Sequence, residues 1–351
     1  MSKTINLLID TSPLGTGHAH RGIGTYTNLL SQELAKNKKI NLQKSTQEIP
    51  ADFKPDLVHY PYFDLFFSTL PLKHPAPKTV VTIHDVIPLI YPDKYPPGLK
   101  GGLKFFKQKF ALSKIDAVIT DSLSSKKDII NYLSIDEKKI HVIYLAANQE
   151  LPAASEKEIS RARRQFKLPV NYILYVGDIN YNKNIPQLIK TLRFLPENIK
   201  LLCVGKNFRP QEIPEWQWIV TQIALTGVEK RVKFLTEVNS VNDLAAIYSG
   251  ALCYVQPSFY EGFGLPLLEA MQCKTPVISA HNSSLIEVGG EAVLYAHEEK
   301  AEAFGEKINE VLAWSKTKRA DWIKQAFAWS QKFSWAKTSA ETIKVYEEIL
   351  G

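Results

Sequence analysis

Short apolar runs alternate with longer helical patterns along the whole chain. Two sets of five runs are rich in β-branched and aliphatic residues, and they lie at 5–10, 56–60, 79–84, 116–120 and 140–145, then at 172–177, 199–205, 231–235, 251–255 and 276–279. Near-continuous apolar strands separated by helices are typical of parallel sheets covered on both faces. The pattern therefore predicts an α/β protein of two doubly wound, Rossmann-like domains that face each other across a cleft, with ligands at the carboxyl ends of the strands.

A polar, proline-flanked stretch at 151–170 separates the two sets of strands and is typical of a linker that merges into a helix. We place the first domain at 1–165 and the second at 166–330. The length of 351 residues and the hydrophobic content of 45% agree with two domains. Apolar runs of roughly eighteen residues are absent, and the amino terminus lacks the pattern of a signal peptide, which predicts a cytoplasmic protein.

The formal net charge of +7 is unevenly distributed. Residues 1–165 hold 23 basic and 16 acidic side chains, whereas the remainder holds 20 of each. This asymmetry indicates either a soluble surface or an anionic partner for the first half, such as a phosphorylated acceptor, a lipid headgroup or a nucleic acid. The three cysteines are odd in number and lack C-x-x-C spacing, so neither a disulfide nor a zinc site is expected.

The main candidate site is the stretch PSFYEGFGLPLLEAMQCKTPVIS at 257–279. Glu261 follows a predicted strand, and Glu269 lies in the helix that comes next. Between them, three amides stand where a helix leaves its first N–H groups unpaired, and such a turn attracts phosphate. The residues that supply these amides are Phe263, Gly264 and Leu265. Since carboxylates beside a phosphate site suit hydroxyl ligands, the stretch predicts a polyol joined to a diphosphate.

This stretch resembles the signature PSxxEGFGLPxLEAMAxGxPVI of the retaining GT-B glycosyltransferases of family 4, from which it departs at Cys273 and Lys274. The resemblance implies that Glu261 binds hydroxyls of the donor hexose near the reacting carbon. It also implies that Glu269 binds the ribose and that the amides of the turn bind sugar and diphosphate.

Two further segments of the second half are similar to the same family. YVGDINYNKNIPQLIKTL corresponds to a loop in which the family places a basic pair against the leaving diphosphate. Lys183 supplies one of these charges, and Asn182 replaces the usual arginine but can still donate a hydrogen bond. The backbone of TEVNS at 236–240, which includes Val238, corresponds to the part of such folds that recognises the base.

In the first half, Gly22-Ile23-Gly24 follows the first strand and opens a helix. The turn is not a dinucleotide fingerprint, because a third glycine and the acid after the next strand are missing. The resemblance implies instead that Gly22 and Gly24 close over the donor phosphates and the acceptor, with Arg21 as an extra charge on the acceptor side.

Two more segments of the first half belong to the same resemblance. HDVIPLIYP is similar to the HDxxPxxxP segment of the mannosyl- and rhamnosyltransferase-like branch, which implies that His84 contacts the transferred sugar and that Asp85 lies on the acceptor side. DSLSSKKDIINYL is similar to the SxxSxxD segment, in which Ser122 faces the cleft on the acceptor side while Ser124 or Ser125 caps a helix.

The chemistry implied by the resemblance is transfer of a hexose from a nucleotide diphosphate sugar to a hydroxyl of a glycan or lipid-linked acceptor, with retention of configuration. The predicted catalytic residues are Glu261, His84 and Lys183. We expect neither a metal nor another cofactor, because no Asp-x-Asp motif lies in a suitable loop and Lys183 with the helix dipole can meet the leaving charge. A second carboxylate is not evident, which favours front-face substitution. The HDxxP branch favours GDP-mannose, and a UDP-sugar stays open.

The segment at 98–114 is basic and contains no acid. Leu99, Leu103, Phe106 and Phe110 form one apolar stripe at helical spacing. Such a stripe usually packs into a core. An acid-free basic helix instead favours contact with a lipid-linked acceptor at the inner face of a membrane, and both alternatives stay open.

The tail at 331–351 resembles the last helix of the family, which crosses back to pack on the first domain. Two other functions stay open. One is a nucleotide-sugar-binding subunit without turnover, since Asn182 lacks a charge, and the other is a hydrolase or epimerase on the same scaffold. A nucleic acid would explain the basic first half but not the cleft motifs, so no nucleic-acid partner is expected.

Overall fold

The computed structural model describes residues 4–15, 17, 22–47, 49–238 and 240–351. The chain divides into two compact units. The first unit runs to Ala146 and also includes Phe333–Gly351, and the second unit is Ala147–Lys332.

The first unit is built on a parallel sheet with the strand order β2-β1-β3-β4-β5-β6 among its described residues. The strands are β1 (Ile5–Ile9), β2 (Ile40–Lys44), β3 (Leu57–Tyr60), β4 (Lys78–Thr82), β5 (Ala117–Thr120) and β6 (Ile140–Val142). The α-helices are α1 (Gly22–Ala35), α2 (Ile87–Ile90), α3 (Gly98–Leu112), α4 (Leu123–Asp128) and α13 (Trp335–Leu350). Strands β3 and β5 are buried at every position, because helices cover both faces of the sheet.

The second unit contains another parallel sheet, with the order β12-β11-β10-β7-β8-β9 in the part of the chain that the structure describes. The strands are β7 (Tyr172–Val176), β8 (Lys200–Val204), β9 (Val232–Leu235), β10 (Cys253–Gln256), β11 (Val277–Ala280) and β12 (Leu294–Ala296). The α-helices are α5 (Glu156–Gln165), α6 (Ile185–Thr191), α7 (Pro214–Thr226), α8 (Val241–Ser249), α9 (Leu265–Gln272), α10 (Ser283–Gly289), α11 (Ala301–Leu312) and α12 (Lys316–Ser330). Both units thus have the predicted doubly wound α/β architecture.

The first unit ends earlier in the chain than the predicted boundary at residue 165. Helix α5 begins with a capping box at Ser155 and packs on α8, where Arg161 donates a hydrogen bond of 2.7 Å to Asp243. These contacts attach α5 to the second unit. The stretch expected to act as a linker is therefore a packed layer of that unit.

Helix α13 belongs to the first unit and is held there by a buried chain of polar side chains. The Tyr346 hydroxyl lies 2.6 Å from Nδ1 of His59, and Nε2 of His59 lies 2.8 Å from Oγ1 of Thr82. The same Thr82 hydroxyl lies 2.9 Å from the Tyr26 hydroxyl. Burial, reinforced by the charge of His84, lowers the pKa of His59 to about 3, so its ring is neutral. This network joins the last helix to β3, β4 and α1.

Two strands, β2 and β12, were not predicted from the apolar runs. Each lies at the edge of its sheet, next to β1 and β11 respectively. In β2, only Ile40 is buried and the other residues are at least partly exposed. An edge strand of this kind does not need a continuous apolar run, and its sequence signal is correspondingly weak.

The apolar stripe of α3 lies on the outer face of the first unit. The stripe residues are all exposed, and they are Leu99, Leu103, Phe106 and Phe110. The opposite face of the helix is buried instead. The expectation that this stripe packs into the core is therefore wrong. Among the described residues, no helix combines the length and apolar character needed to span a membrane.

We expect Tyr346→Phe to destabilise the protein by about 1 to 3 kcal/mol, because it leaves a ring nitrogen of His59 buried without its partner. The measurement is urea denaturation followed by intrinsic fluorescence. Tyr132→Phe, which removes the hydroxyl of an exposed tyrosine, is the matched control and should change the free energy of unfolding by less than about 0.5 kcal/mol. Equal effects in the two variants would show that the hydroxyl does not stabilise the docked helix.

Candidate active site

The order of strands reverses beside β7 in the second unit. Its neighbours are β8, the next strand in the chain, and β10, whose residues Cys253 and Tyr254 pair with Ile173 and Leu174. In open parallel sheets, ligands bind at such a switch point, outside the carboxyl ends of the strands. The loops that leave β7 and β10 there carry Lys183 and Glu261, two of the three predicted catalytic residues.

The Glu261 carboxylate is buried and receives hydrogen bonds from three side chains. The Lys183 ammonium lies 2.8 Å from Oε1 and 2.7 Å from Oε2. Oε1 also accepts hydrogen bonds of 2.6 Å from the amide of Gln256 and 2.6 Å from the hydroxyl of Ser258. Tyr254 in turn donates to the amide oxygen of Gln256. Because Oε1 is crowded, Oε2 is the atom of Glu261 with room to accept a bond from a ligand hydroxyl.

The turn after Glu261 is fixed by backbone conformation and by two serines of α10. Gly264 has a φ of 103°, which favours glycine, and a Cβ there would lie 2.9 Å from a side chain of α10. The hydroxyl of Ser284 lies 2.9 Å from the carbonyl oxygens of both Glu261 and Phe263. The amide of Glu261 donates a hydrogen bond of 3.0 Å to the Ser283 hydroxyl. The carboxylate and the start of α9 at Leu265 are thus held in one rigid turn.

Two asparagines on either side of Lys183 join its loop to the loop of Glu261. Asn182 is buried, and its side-chain amide donates a hydrogen bond of 2.9 Å to the carbonyl of Tyr260. Asn184 adopts a left-handed conformation with a φ of 53° and donates to the carbonyls of Pro257 at 3.0 Å and Glu298 at 2.8 Å. Asn182 therefore positions the loop through its amide. Asn184 was not predicted as a site residue. Its position directly before a helix with a proline in the first turn was a signal in the sequence.

Glu269 lies one turn inside α9, and its Oε2 accepts a hydrogen bond of 2.9 Å from the Tyr248 hydroxyl. Burial raises the pKa of the Glu269 carboxyl above its ordinary value, and the bond from Tyr248 offsets part of this effect. Tyr248 was missed because it lies within an apolar helical run. Glu269 is half-buried, and its carboxylate is suited to accept further bonds from ligand hydroxyls.

The carboxyl ends of β7 and β8 approach each other closely. A Cβ on Gly205 would lie 2.0 Å from the carbonyl oxygen of Gly177, so no other residue fits at this position. Val238 follows the end of β9 and is half-buried. Phe263 is buried and Leu265 is half-buried at the start of α9. The structure thus places the predicted donor-binding residues of the second unit at the same edge of one sheet.

In the first unit, His84 follows β4 and Asp121 follows the neighbouring β5. Nδ1 of His84 lies 2.7 Å from Oδ2 of Asp121, and Nε2 lies 3.2 Å from the carbonyl oxygen of Pro61. Both ring nitrogens therefore face acceptors, which favours the imidazolium form. Burial alone lowers the pKa of His84, but the charge and hydrogen bond of Asp121, with the charge of Asp85, outweigh burial and raise it above its ordinary value. Asp121 was not among the predicted residues.

The remaining predicted residues of the first unit have varied environments. Helix α1 begins at Gly22, which is exposed, whereas Gly24 is buried. Asp85 is half-buried and accepts a hydrogen bond of 3.0 Å from the amide of Ile87. Arg21 lies outside the described residues.

The prediction that Ser124 or Ser125 caps α4 is wrong. The cap is Ser122, whose buried hydroxyl accepts a hydrogen bond of 3.0 Å from the amide of Ser125. The hydroxyl of Ser125 donates a hydrogen bond of 2.9 Å to the carbonyl of His84. Ser122 and Ser125 therefore fix the loops after β5 and β4 relative to each other, and the acceptor-side role of Ser122 stays a prediction.

Two family models match the chain, largely one in each unit. Residues 156–329 match the model described as Glycosyl transferases group 1, and residues 36–151 match the model described as Glycosyltransferase Family 4. The two segments together cover most of the chain. Two α/β units, each built on a parallel sheet, are the architecture of the GT-B class of glycosyltransferases. The chain belongs to the family 4 glycosyltransferases.

Relatives and solved structures agree with this assignment. O-antigen chain mannosyltransferase B of Escherichia coli is 28% identical over 305 residues, which are 84% of this chain and 75% of that protein. The serotype-specific mannosyltransferase WbdA of Escherichia coli is 28% identical over 316 residues, which are 86% of this chain but only 38% of that longer protein. The structure of HepE of Anabaena in complex with UDP-glucose matches with a TM-score of 0.74 at 17% identity. The match covers 98% of this chain and 100% of the HepE chain. At that identity the structural match shows the fold alone.

We expect Asp121→Asn to lower the pKa of His84, because the substitution removes the largest influence that raises it and leaves the effect of burial. Protonation of His84 stabilises the wild-type fold fully below about pH 6.5, and this contribution is lost as the pH rises through the higher folded-state pKa. The measurement is NMR titration of the His84 ring, assigned with His84→Gln. Asp85→Asn, the control, should lower the pKa by less. An unchanged titration in Asp121→Asn would contradict the pairing.

Proposed function

We propose that this chain transfers a hexose, with mannose favoured, from a nucleotide diphosphate sugar to a hydroxyl of a glycan or lipid-linked acceptor. The reaction retains the anomeric configuration, proceeds by front-face substitution and needs no metal ion. The observation that carries the proposal is the ion pair between Lys183 and Glu261, with a separation of 2.7 Å, at the switch point of the second sheet.

Lys183 supplies a positive charge where a leaving diphosphate needs one, and its ion pair with Glu261 fixes the position of that charge. Lys183 is the side chain that the proposal assigns to the diphosphate, and Glu261 holds it at the carboxyl end of β7. Helix α9 begins at Leu265 in the same turn, so the positive end of its dipole reinforces the charge. Fixed positive charge at a developing anion stabilises the transition state without reorganisation. This arrangement supports a leaving-group role without a divalent ion.

Glu261 is better suited to hold a sugar hydroxyl than to accept the proton of the acceptor. Its Oε1 already accepts hydrogen bonds from Lys183, Gln256 and Ser258. These donors occupy the lone pairs that a nucleophile or a base would need, whereas Oε2 has room for a bond from a sugar hydroxyl. In the proposed front-face step, the acceptor oxygen forms its bond to the anomeric carbon as the bond to the diphosphate breaks, and the leaving phosphate oxygen takes the acceptor proton. The products are the glycosylated acceptor and the nucleoside diphosphate.

We propose that His84, in the first unit, contacts the transferred sugar. Its Nε2 lies 3.2 Å from the carbonyl oxygen of Pro61, a long contact that a sugar hydroxyl could replace. The Asp121 carboxylate fixes the ring through Nδ1. The imidazolium form can then donate a hydrogen bond to a hydroxyl of the sugar.

The sugar is assigned from the relatives, and the base is assigned from the resemblance of HDVIPLIYP to the HDxxP branch. Two relatives in Escherichia coli are named O-antigen chain mannosyltransferase B and serotype-specific mannosyltransferase WbdA, which supports mannose and a glycan or lipid-linked acceptor. The HepE structure holds UDP-glucose, so a UDP-sugar is the competing donor. We favour GDP-mannose.

We expect Lys183→Ala to lower kcat/KM by roughly 100-fold or more, because one fixed charge at the leaving group is lost. Lys190→Ala, which removes an exposed lysine of α6, is the matched control and should retain activity. The measurement is release of nucleoside diphosphate with acceptor present, repeated with a chelator such as EDTA. Activity of Lys183→Ala equal to that of the control would refute the leaving-group role, and loss of wild-type activity with EDTA would refute metal independence. Donor binding without any turnover in the wild type would indicate a binding subunit.

We expect GDP-mannose to raise the melting temperature more than GDP alone or UDP-glucose in a thermal-shift panel, because a ligand that binds only the folded state stabilises that state. A larger shift with UDP-glucose would overturn the choice of donor.

Glu269→Gln should reduce the thermal shift caused by GDP-mannose, since a charged acceptor for the ribose is lost at a cost of about 1.5 to 3 kcal/mol. Without ligand, the same variant should be at least as stable as wild type at neutral pH. The raised pKa of Glu269 makes its ionised form unfavourable, and this effect grows as the pH rises from the ordinary value of 4.5 through the folded-state pKa.

A further inference from the structure

Helix α3 exposes its apolar stripe to an unusual degree. The exposed fractions are 92% for Leu99, 74% for Leu103, 73% for Phe106 and 56% for Phe110. With a spacing of four, three and four residues, these side chains lie on one face of the helix and extend for roughly 16 Å along it. Phe67, 63% exposed, lies beside the neighbouring lysine-bearing side of the helix, since the Lys104 ammonium lies 5.1 Å from its ring. Clustered apolar side chains on a surface of this kind mark an interaction site.

The rotation of α3 is fixed by polar contacts on its opposite face. Gln108 is fully buried there, accepts hydrogen bonds from the amides of Thr69 at 3.0 Å and Leu70 at 2.9 Å, and donates one of 2.9 Å to the Leu70 carbonyl. A Cβ added to Gly101 on the same face would lie 3.1 Å from Pro97. Turning the helix would break three buried hydrogen bonds, so the stripe is held facing outward.

Lysines flank the apolar stripe on both sides. At about 100° per residue, Lys100, Lys104 and Lys107 lie roughly a quarter turn to one side of the stripe, and Lys109 lies to the other. None of these lysines takes part in an ion pair with another described residue. Residues 96–115 contain no acid, so the surface carries only positive charge. Long lysine side chains beside an apolar face can reach headgroups while the apolar side chains go deeper.

We infer that α3 docks this protein on an anionic lipid bilayer, with Leu99, Leu103, Phe106 and Phe110 inserted at the boundary between headgroups and acyl chains. The flanking lysines contact anionic headgroups on either side. A helix with a fixed apolar face between rows of lysine is the arrangement that lies in the plane of an interface. The inference goes beyond the proposed function, because it holds for any donor sugar and any acceptor.

Charge argues against a second copy of the chain as the occupant. A symmetric contact through the stripe would bring the lysine rows of two copies together, and like charges across an interface are unfavourable. An anionic bilayer instead offers acyl chains for the stripe and phosphates for the lysines. The surface therefore fits an anionic membrane better than it fits itself.

The test is sedimentation of the purified full chain with vesicles. We expect binding to vesicles of phosphatidylglycerol and phosphatidylethanolamine, weaker binding to phosphatidylcholine alone, and release as salt is raised. L103Q/F106Q should weaken binding to the anionic vesicles by about 100-fold, or roughly tenfold for each side chain withdrawn from the acyl region. K104Q/K107Q should weaken it by about fivefold for each charge and should reduce its dependence on salt.

Matched controls lie in the second unit. Leu225→Gln changes a leucine of α7 that is 76% exposed, and Lys230→Gln changes an exposed lysine, so both should bind vesicles like the wild type. All variants should keep the wild-type urea midpoint and the donor-induced thermal shift, which separates this inference from the proposed function. Wild-type binding by L103Q/F106Q, or equal wild-type binding to phosphatidylcholine, would overturn it. So would a wild-type dimer in the absence of vesicles that L103Q/F106Q converts to a monomer.

Discussion

The parallel pairing of β7 with β10 is the constraint on which the candidate active site depends. Parallel strands bring their carboxyl ends to one edge, so the loops after Val176 and Gln256 must meet there, although Lys183 and Glu261 are 78 residues apart in the chain. Without that meeting, Glu261 would be a buried carboxylate without a cation, which costs several kcal/mol. The ion pair, the asparagine contacts and the start of α9 all follow from this one pairing. Stability and chemistry therefore depend on the same contact.

Apolar runs were sufficient to predict the central strands, because a strand buried on both faces has little choice of residue. The edge strands β2 and β12 were not predicted, since partly solvated strands tolerate polar residues. In the site, the sequence indicated the charged side chains but not their partners. Tyr248 and Asp121 reach their carboxylate or imidazole only after separate strands and helices have packed. Gln256 lies five residues before Glu261, and its polar side chain at the end of the apolar run ALCYV was an available signal.

Helix α3 shows where periodicity alone cannot decide. Its stripe at Leu99 to Phe110 and its other face, which includes Ala111 and Leu112, are both apolar enough to pack against a sheet. Which of the two faces is buried depends on Gln108. Its side chain bonds to the amide and carbonyl of Leu70, which water would otherwise solvate. A single polar residue thus determines which apolar face is buried. Sequence patterns that count apolar positions do not contain that information.

Helix α13 has a consequence for synthesis on the ribosome. The first unit needs residues 333–351 to complete its core, and these residues are translated only after the whole of Ala147–Lys332. At a rate of about 5 to 20 residues per second, the second unit takes roughly 10 to 40 s to be made. During this interval His59 lacks its contact with Tyr346. The second half of the chain can therefore reach its native state first, and the amino-terminal half is the part exposed for longest to chaperones and proteases.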